Sequence, residues 1–224
     1  MLKKVWLCVC CTFLMGVSSA GAVPLNTQLV INGGAETGDT TGWTSTGIEA
    51  EAVFGPSVGF GAFAFTGGLG PETQTLFQAI DVSGNSGQID SGVTESVFGI
   101  NLQSRSDSGF VDNARVDVSF LDGGGGVLNS FSFVDTINTA LSDWNFFSDT
   151  RSLSVGTRSI EILLTADRTI GISSDGFFDD VSLQLNAPGP NPAPVPEPEP
   201  GMMLLMGGGL VGLMAWRRRR LRRS

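Results

Sequence analysis

A chain of 224 residues that lacks His and Tyr and carries a net charge of −9 has room for one domain plus appendages. The charge is unevenly placed: between Val23 and Val195, five Arg face 20 Asp and Glu. Such a field repels nucleic acid, which excludes it as a partner, and suits solubility, cation binding or neutral partners such as glycans.

The chain opens with a basic Met1–Lys4, an apolar Val5–Val17 and a small-residue stretch, Ser18–Ala22. Ala20-Gly21-Ala22 has the A-x-A form that signal peptidase reads. The expectation is a signal peptide helix over 1–22, cleaved after Ala22 or, alternatively, after Ala20. Cys8, Cys10 and Cys11 leave with it, as do Lys3 and Lys4. An exported domain without disulfides then relies on its core.

Residues 23–186 read as strands. Short alternating runs are separated by Gly, Ser, Asn and Asp clusters. The clearest are Arg115–Phe120, with Val116, Val118 and Phe120 on one face, and Ser159–Leu164, with Ile160, Ile162 and Leu164 on one face. Further strands are expected at 28–32, 47–54, 60–65, 73–81, 95–102, 127–134, 143–150 and 177–185. Asp122-Gly-Gly-Gly-Gly126 reads as a hairpin loop, because glycine adopts positive φ without steric cost. It is not a phosphate loop, since no Lys follows and no helix pattern begins. No segment keeps a 3.6-residue period with caps, so the expected fold is all-β: an antiparallel jelly-roll β-sandwich with most of the abundant Phe in its core.

Elimination narrows the chemistry. Beyond residue 22 there is no His, Cys, Lys or Tyr, which excludes Ser-His-Asp, Cys-His, Ser-Lys and Schiff-base catalysis and His- or Cys-ligated zinc. Carboxylate chemistry remains, yet no spacing singles out a pair. No catalytic residue is assigned, and the domain is read as not an enzyme.

From 187 to 200 the chain is a stiff, proline-rich spacer. Gly201–Trp216 is 16 uncharged residues, expected as a transmembrane helix and close to the minimum for a span. The basic tail behind it, 217–224, with Arg217, Arg218, Arg219, Arg220, Arg222 and Arg223 as a stop-transfer signal, is expected to stay cytoplasmic. Val195-Pro196-Glu197-Pro198, then an apolar segment, then terminal arginines resembles the PEP-CTERM sorting signal of Gram-negative bacteria. The resemblance implies a single-pass inner-membrane precursor with its domain outside. An exosortase then cuts near the motif and passes the protein to the cell surface or extracellular matrix, in association with exopolysaccharide. One departure is Glu199-Pro200, where small residues are usual, which leaves the cut between two Glu-Pro units.

The body carries a second resemblance. Leu29–Gly38 followed by Gly42-Trp43, and Phe177–Leu183 near the other end, are similar to the first and last strands of jelly-roll domains of the carbohydrate-binding-module type. Period two puts Phe177, Asp179, Val181, Leu183 and Leu185 on one face, so Asp179 falls on an apolar side where its charge needs a cation or several N–H donors. The resemblance implies a structural Ca²⁺ held by Glu36 and Asp179, with Asp180 as a lesser ligand, and oxygen ligands are what Ca²⁺ takes. The alternative is that Asp179 accepts backbone hydrogen bonds at the strand entry; no other cofactor is expected. Glycan binding would use Trp144 or Trp43 as a stacking face; the alternative for each is a place in the core, which for Trp43, after a Gly-Asp-Thr-Thr-Gly turn, is that of a plug at the sandwich end. The reading is an exported surface or matrix protein with a non-catalytic sandwich. A carbohydrate-binding module with a defined ligand is the alternative, ahead of a carboxylate hydrolase.

Overall fold

The computed structural model describes residues 21–52, 61–107, 110–135 and 144–187. The signal peptide up to residue 20, the spacer beyond 187, the sorting motif, the apolar segment 201–216 and the arginine tail lie outside these residues. Among the described residues, no helix is long and apolar enough to cross a membrane.

Among the described residues there are ten strands: β1 Thr44–Ser45, β2 Glu49–Ala52, β3 Phe63–Thr66, β4 Thr73–Asp81, β5 Glu95–Asp107, β6 Phe110–Leu121, β7 Val127–Asp135, β8 Asn145–Ser152, β9 Ser159–Asp167 and β10 Gly176–Asn186. They make two antiparallel sheets, one ordered β1-β4-β9-β6-β7 and the other β2-β3-β10-β5-β8. The ends of β5 and β6 also pair, at Arg105–Asp107 against Phe110–Asp112, and so carry the chain from one sheet to the other. The architecture is a β-sandwich.

Alternation explains the core. Ala114, Val116, Val118 and Phe120 of β6 face Ile160, Ile162, Leu164 and Ala166 of β9 across the ladder, all essentially inaccessible. Phe98, Ile100 and Leu102 of β5 and Phe65 and Phe178 of the second sheet close the interior from the other side. Each large side chain so buried contributes about 1.5–3 kcal/mol. The tight connection between β6 and β7 is the expected one: Asp122 N–H donates to the Gly126 carbonyl, and Gly125 takes φ 83°.

Two polar residues also point inward, Gln74 and Gln78 of β4. Each acts as a surrogate peptide group for a neighbouring loop. Gln74 accepts from Gly68 N–H and donates to Gly68 O, while Gln78 accepts from Ile31 N–H and donates to Ile31 O and Gly42 O. Buried amides that are paired this way escape the desolvation penalty.

The differences from expectation are informative. Residues 28–32 are not a strand of the sheets. They run beside β10 as a chain of turns, held by Leu29 N–H on Leu183 O and by Gln28, whose side chain accepts from Leu183 N–H and donates to Val181 O. A short helix, α1 Ser86–Asp90, sits where only a loop was expected. The phenylalanines also divide. Phe65, Phe98, Phe120 and Phe178 are fully buried, several others are half-buried, and Phe146 is 65% exposed.

Candidate functional site

The last strand does not keep the simple alternation. A bulge between Asp179 and Ser182, with Asp180 at φ 51°, inserts an extra residue and reverses which side chains face the core. Before the bulge Phe178 is the core residue; after it the core residues are Val181, Leu183 and Leu185. Phe177 and Asp179 therefore lie on the outer face of the sheet, opposite Gln103 and Asn101. Asp179 is fully buried there. The placement of Asp179 on the apolar face is thus corrected: its burial comes from the loop that crosses it.

That loop is 32–38, and its backbone is built for close approach. Asn32, Ala35 and Gly38 all have positive φ. Gly33 O accepts Val181 N–H at 3.0 Å, and a Cβ at Gly33 would collide with the Val181 carbonyl. Gly34 is the meeting point of the three acids: a Cβ there would lie 3.5 Å from Asp179 Oδ1, 3.6 Å from Asp180 Oδ1 and 3.7 Å from Glu36 Cγ.

Glu36 reaches the start of β3. Its Oε1 accepts from Ala62 N–H at 3.0 Å and Phe63 N–H at 3.1 Å, and its Oε2 is 3.1 Å from the Ala62 nitrogen. Asp179 Oδ1 accepts from Asp180 N–H at 2.7 Å. The Asp180 carboxyl is pushed above the ordinary carboxylate value, first by burial and then by the charge on Glu36. The donor set is oxygen only, as a hard cation takes, and a cation would relieve the repulsion between Glu36 and Asp180. Among the described residues, however, no three acidic side chains stand in a ready metal-holding arrangement. Closing on an ion would require the Glu36 oxygens to turn from, or be shared with, the Ala62 and Phe63 N–H groups they now accept from.

The two candidate stacking residues differ. Trp43 is only 9% exposed, its Nε1–H donates to Ile31 O at 2.9 Å, and its ring meets Phe65 edge-on at 5.7 Å. This leaves no ring face for a sugar. Trp144 is half-buried just before β8.

Among the residues whose burial is described, the aromatic that does face solvent is Phe146, two residues on and paired with Asn101. Its ring lies across Gly99 of β5: a Cβ there would lie 3.2 Å from ring atoms Cε2 and Cζ. Ser182 Oγ, beside it on β10, donates to Gly99 O at 3.2 Å. Ser148 and Thr150 continue the exposed row along β8. The signal in the sequence was a Gly within β5 where the flanking pattern calls for side chains, which marks a close approach.

A polar cleft of about 440 Å³ opens between loop 38–40 and residues 45–50, with Asp39, Thr40, Ser45 and Glu49 on its walls. Asp39 is held below the ordinary carboxylate value by Thr37, whose hydroxyl donates to it, and by Thr41 N–H. A general acid needs the opposite shift.

No curated protein matches the chain. Among solved structures, it is similar to the enzymatically active domain of tailspike protein 4 from bacteriophage CBA120, at TM-score 0.50 and 15% identity over 72% of this chain. The match spans 21% of that protein, about a fifth of its length. It is also similar to TmCBM61 in complex with β-1,4-galactotriose, at TM-score 0.45 and 20% identity over 72% of this chain and 99% of that one. A third is a family 16 carbohydrate-binding module, at 0.47 and 17% over 69% and 98%. At 15% identity the likeness to the tailspike domain is one of fold alone. The C-terminal segment is matched in its own right: residues 194–220 are a PEP-CTERM protein-sorting motif.

Proposed function

We propose that this chain is an exported protein of a Gram-negative cell surface or extracellular matrix, delivered by an exosortase, whose sandwich is a non-catalytic structural or adhesive part of the exopolysaccharide layer. The observation that carries the proposal is the sorting motif at 194–220. In this reading signal peptidase removes 1–22, and the apolar segment 201–216 holds the precursor in the inner membrane as a single span. The arginines keep the C-terminus cytoplasmic, until cleavage near Glu197 frees the domain. The spacer then carries no further role than reach. The non-catalytic reading is supported by the absence of His, Cys, Lys and Tyr beyond residue 22.

Intact-mass measurement on the surface fraction tests the delivery. The expected species ends between Glu197 and Pro200 and lacks all six arginines. A surface protein that retains 217–224 would sink the proposal.

A second reading, a carbohydrate-binding module, is favoured by Phe146. An exposed ring lying on a bare stretch of sheet, with hydroxyls beside it, is the arrangement on which the apolar face of a sugar stacks. The acidic surface makes a neutral glycan the suitable class.

A further inference from the structure

The four edges of the two sheets are not alike. β1 has two residues and β2 four, with Glu49 and Glu51 exposed. β8 carries Asp149 and Arg151. By contrast β7 has nine residues, Val-Leu-Asn-Ser-Phe-Ser-Phe-Val-Asp, uncharged for the first eight and free of proline. Short length, charges and proline are the devices that normally keep an edge strand from pairing with another chain, and the first eight residues of β7 have none of them.

The hydrogen bonds show which of its main-chain groups face outward. Ser130 pairs with Ser119 of β6, but its N–H donates to Asn129 Oδ1 at 2.8 Å and its carbonyl accepts from Arg151 Nη1 at 3.3 Å. Both groups therefore point away from β6. Alternation along an antiparallel strand sends the N–H and C=O of Ser132 and Val134 the same way. Among the described residues no strand pairs β7 on that side. Ser132 is exposed and Val134 is 40% exposed.

Arg151 limits how far this open edge runs. Its guanidinium grips Asp149 at 2.5 and 2.8 Å and lies 4.3 Å over the Phe131 ring, so the bond to Ser130 O comes from an anchored group. Among the described residues, the unguarded stretch is Ser132–Val134.

We propose that β7 is a self-association edge: two copies pair antiparallel about a twofold axis at Phe133, joining their sheets into one. Ser132 of each copy then exchanges hydrogen bonds with Val134 of the other, about four in all. Charge does not oppose pairing here on an otherwise acidic body, because Arg115, opposite Val134 on β6, is balanced by Asp117 and Arg151 by Asp149. The pairing stands whether or not the chain is sorted as proposed.

Sedimentation of the full chain in mild detergent, over a range of concentrations, tests it. The wild type is expected to show a monomer–dimer equilibrium. Ser132→Pro removes an N–H that the sheet does not use, a change edge strands tolerate, and should weaken the dimer about tenfold or more with little change in melting temperature. Val134→Glu, a charge on the edge, should do the same and decides the matter if the proline variant fails to fold. Association through the apolar tail would be untouched by either substitution. A wild type that stays monomeric, or a dimer whose dissociation constant both variants leave unchanged, would overturn the proposal.

Discussion

Glu36 Oε1 accepts the backbone N–H of Phe63 at 3.1 Å, so an acid in the loop that crosses β10 caps the first residue of β3. The same oxygen takes Ala62 N–H, and two orphan donors at the strand entry are satisfied by one side chain. Glu36→Ala should lower stability by about 1–2 kcal/mol, as loss of charge-assisted hydrogen bonds does, seen as a melting temperature lower by several degrees. Glu36→Gln retains an acceptor oxygen and should recover part of the loss. If Ala and Gln melt together, the cap contributes nothing through hydrogen bonding.

The neighbouring Asp180 works in the other direction. Its folded-state value is raised by burial and by Glu36, so between the unfolded and the folded values the native state binds the proton more tightly. Stability from this group therefore falls as pH rises through that window and is lowest once Asp180 is ionised. Asp180→Asn keeps a residue that accepts positive φ and removes the charge. It should melt higher than wild type at neutral pH, with the two converging below the unfolded carboxylate value. Calorimetry with Ca²⁺ examines the same cluster. An ion held by Glu36, Asp179 and Asp180 should give heat of binding and raise the melting temperature of wild type more than that of Asp180→Asn. No heat and no shift would remove the cation from the reading.

The loop that brings these acids together depends on Gly33. A Cβ there meets the Val181 carbonyl oxygen and carbon, backbone atoms that cannot rotate aside, and displaces the Val181 N–H···O Gly33 bond. Gly33→Ala should cost on the order of 3 kcal/mol or more, in the class of substitutions that force backbone apart. Gly87→Ala, in α1 with nothing within 4 Å of the added Cβ, is the control and should be neutral or slightly stabilising. Equal melting temperatures for the two would mean that the loop shifts freely over the bulge.

Strands with one buried face were legible from alternation, because Val116, Val118 and Phe120 or Ile160, Ile162 and Leu164 have no other way to leave water. β4 and β9 run close to the expected ranges for that reason. What alternation could not show was a change of phase within a strand. Val181, Leu183 and Leu185 are correctly inward, and extrapolating their phase back through the bulge put Asp179 on the wrong face. Nor could local pattern reveal that Val30 and Ile31 are held by Gln28 and Gln78 side chains instead of a ladder. Of the site residues, Asp179 Oδ1, Asp180 Oδ1 and Glu36 Cγ lie around Gly34, while the Glu36 carboxylate is turned to Ala62 and Phe63 N–H. Trp43 is consumed by the core, and the exposed ring is a Phe that composition had assigned to the interior.

Phe146 is the position at which a glycan role can be tested without disturbing the fold. Its ring is 65% exposed and rests on Gly99, so Phe146→Ala removes little buried area and should change stability by about 0.5 kcal/mol or less. Its effect on binding should be large if a sugar stacks there, since the loss of an aromatic contact of about 0.5–1.5 kcal/mol or more weakens affinity several-fold. Retardation in gels containing neutral polysaccharides, compared for wild type, Phe146→Ala and Phe146→Trp, separates the cases. The Trp variant offers a larger ring on the same glycine and should bind at least as well as wild type. Gly99→Val is the complementary change: its side chain would push the Phe146 ring off the sheet and crowd Ser182, removing the platform while retaining the Phe146 side chain itself. Retardation that survives both Phe146→Ala and Gly99→Val would place any glycan contact elsewhere on the domain.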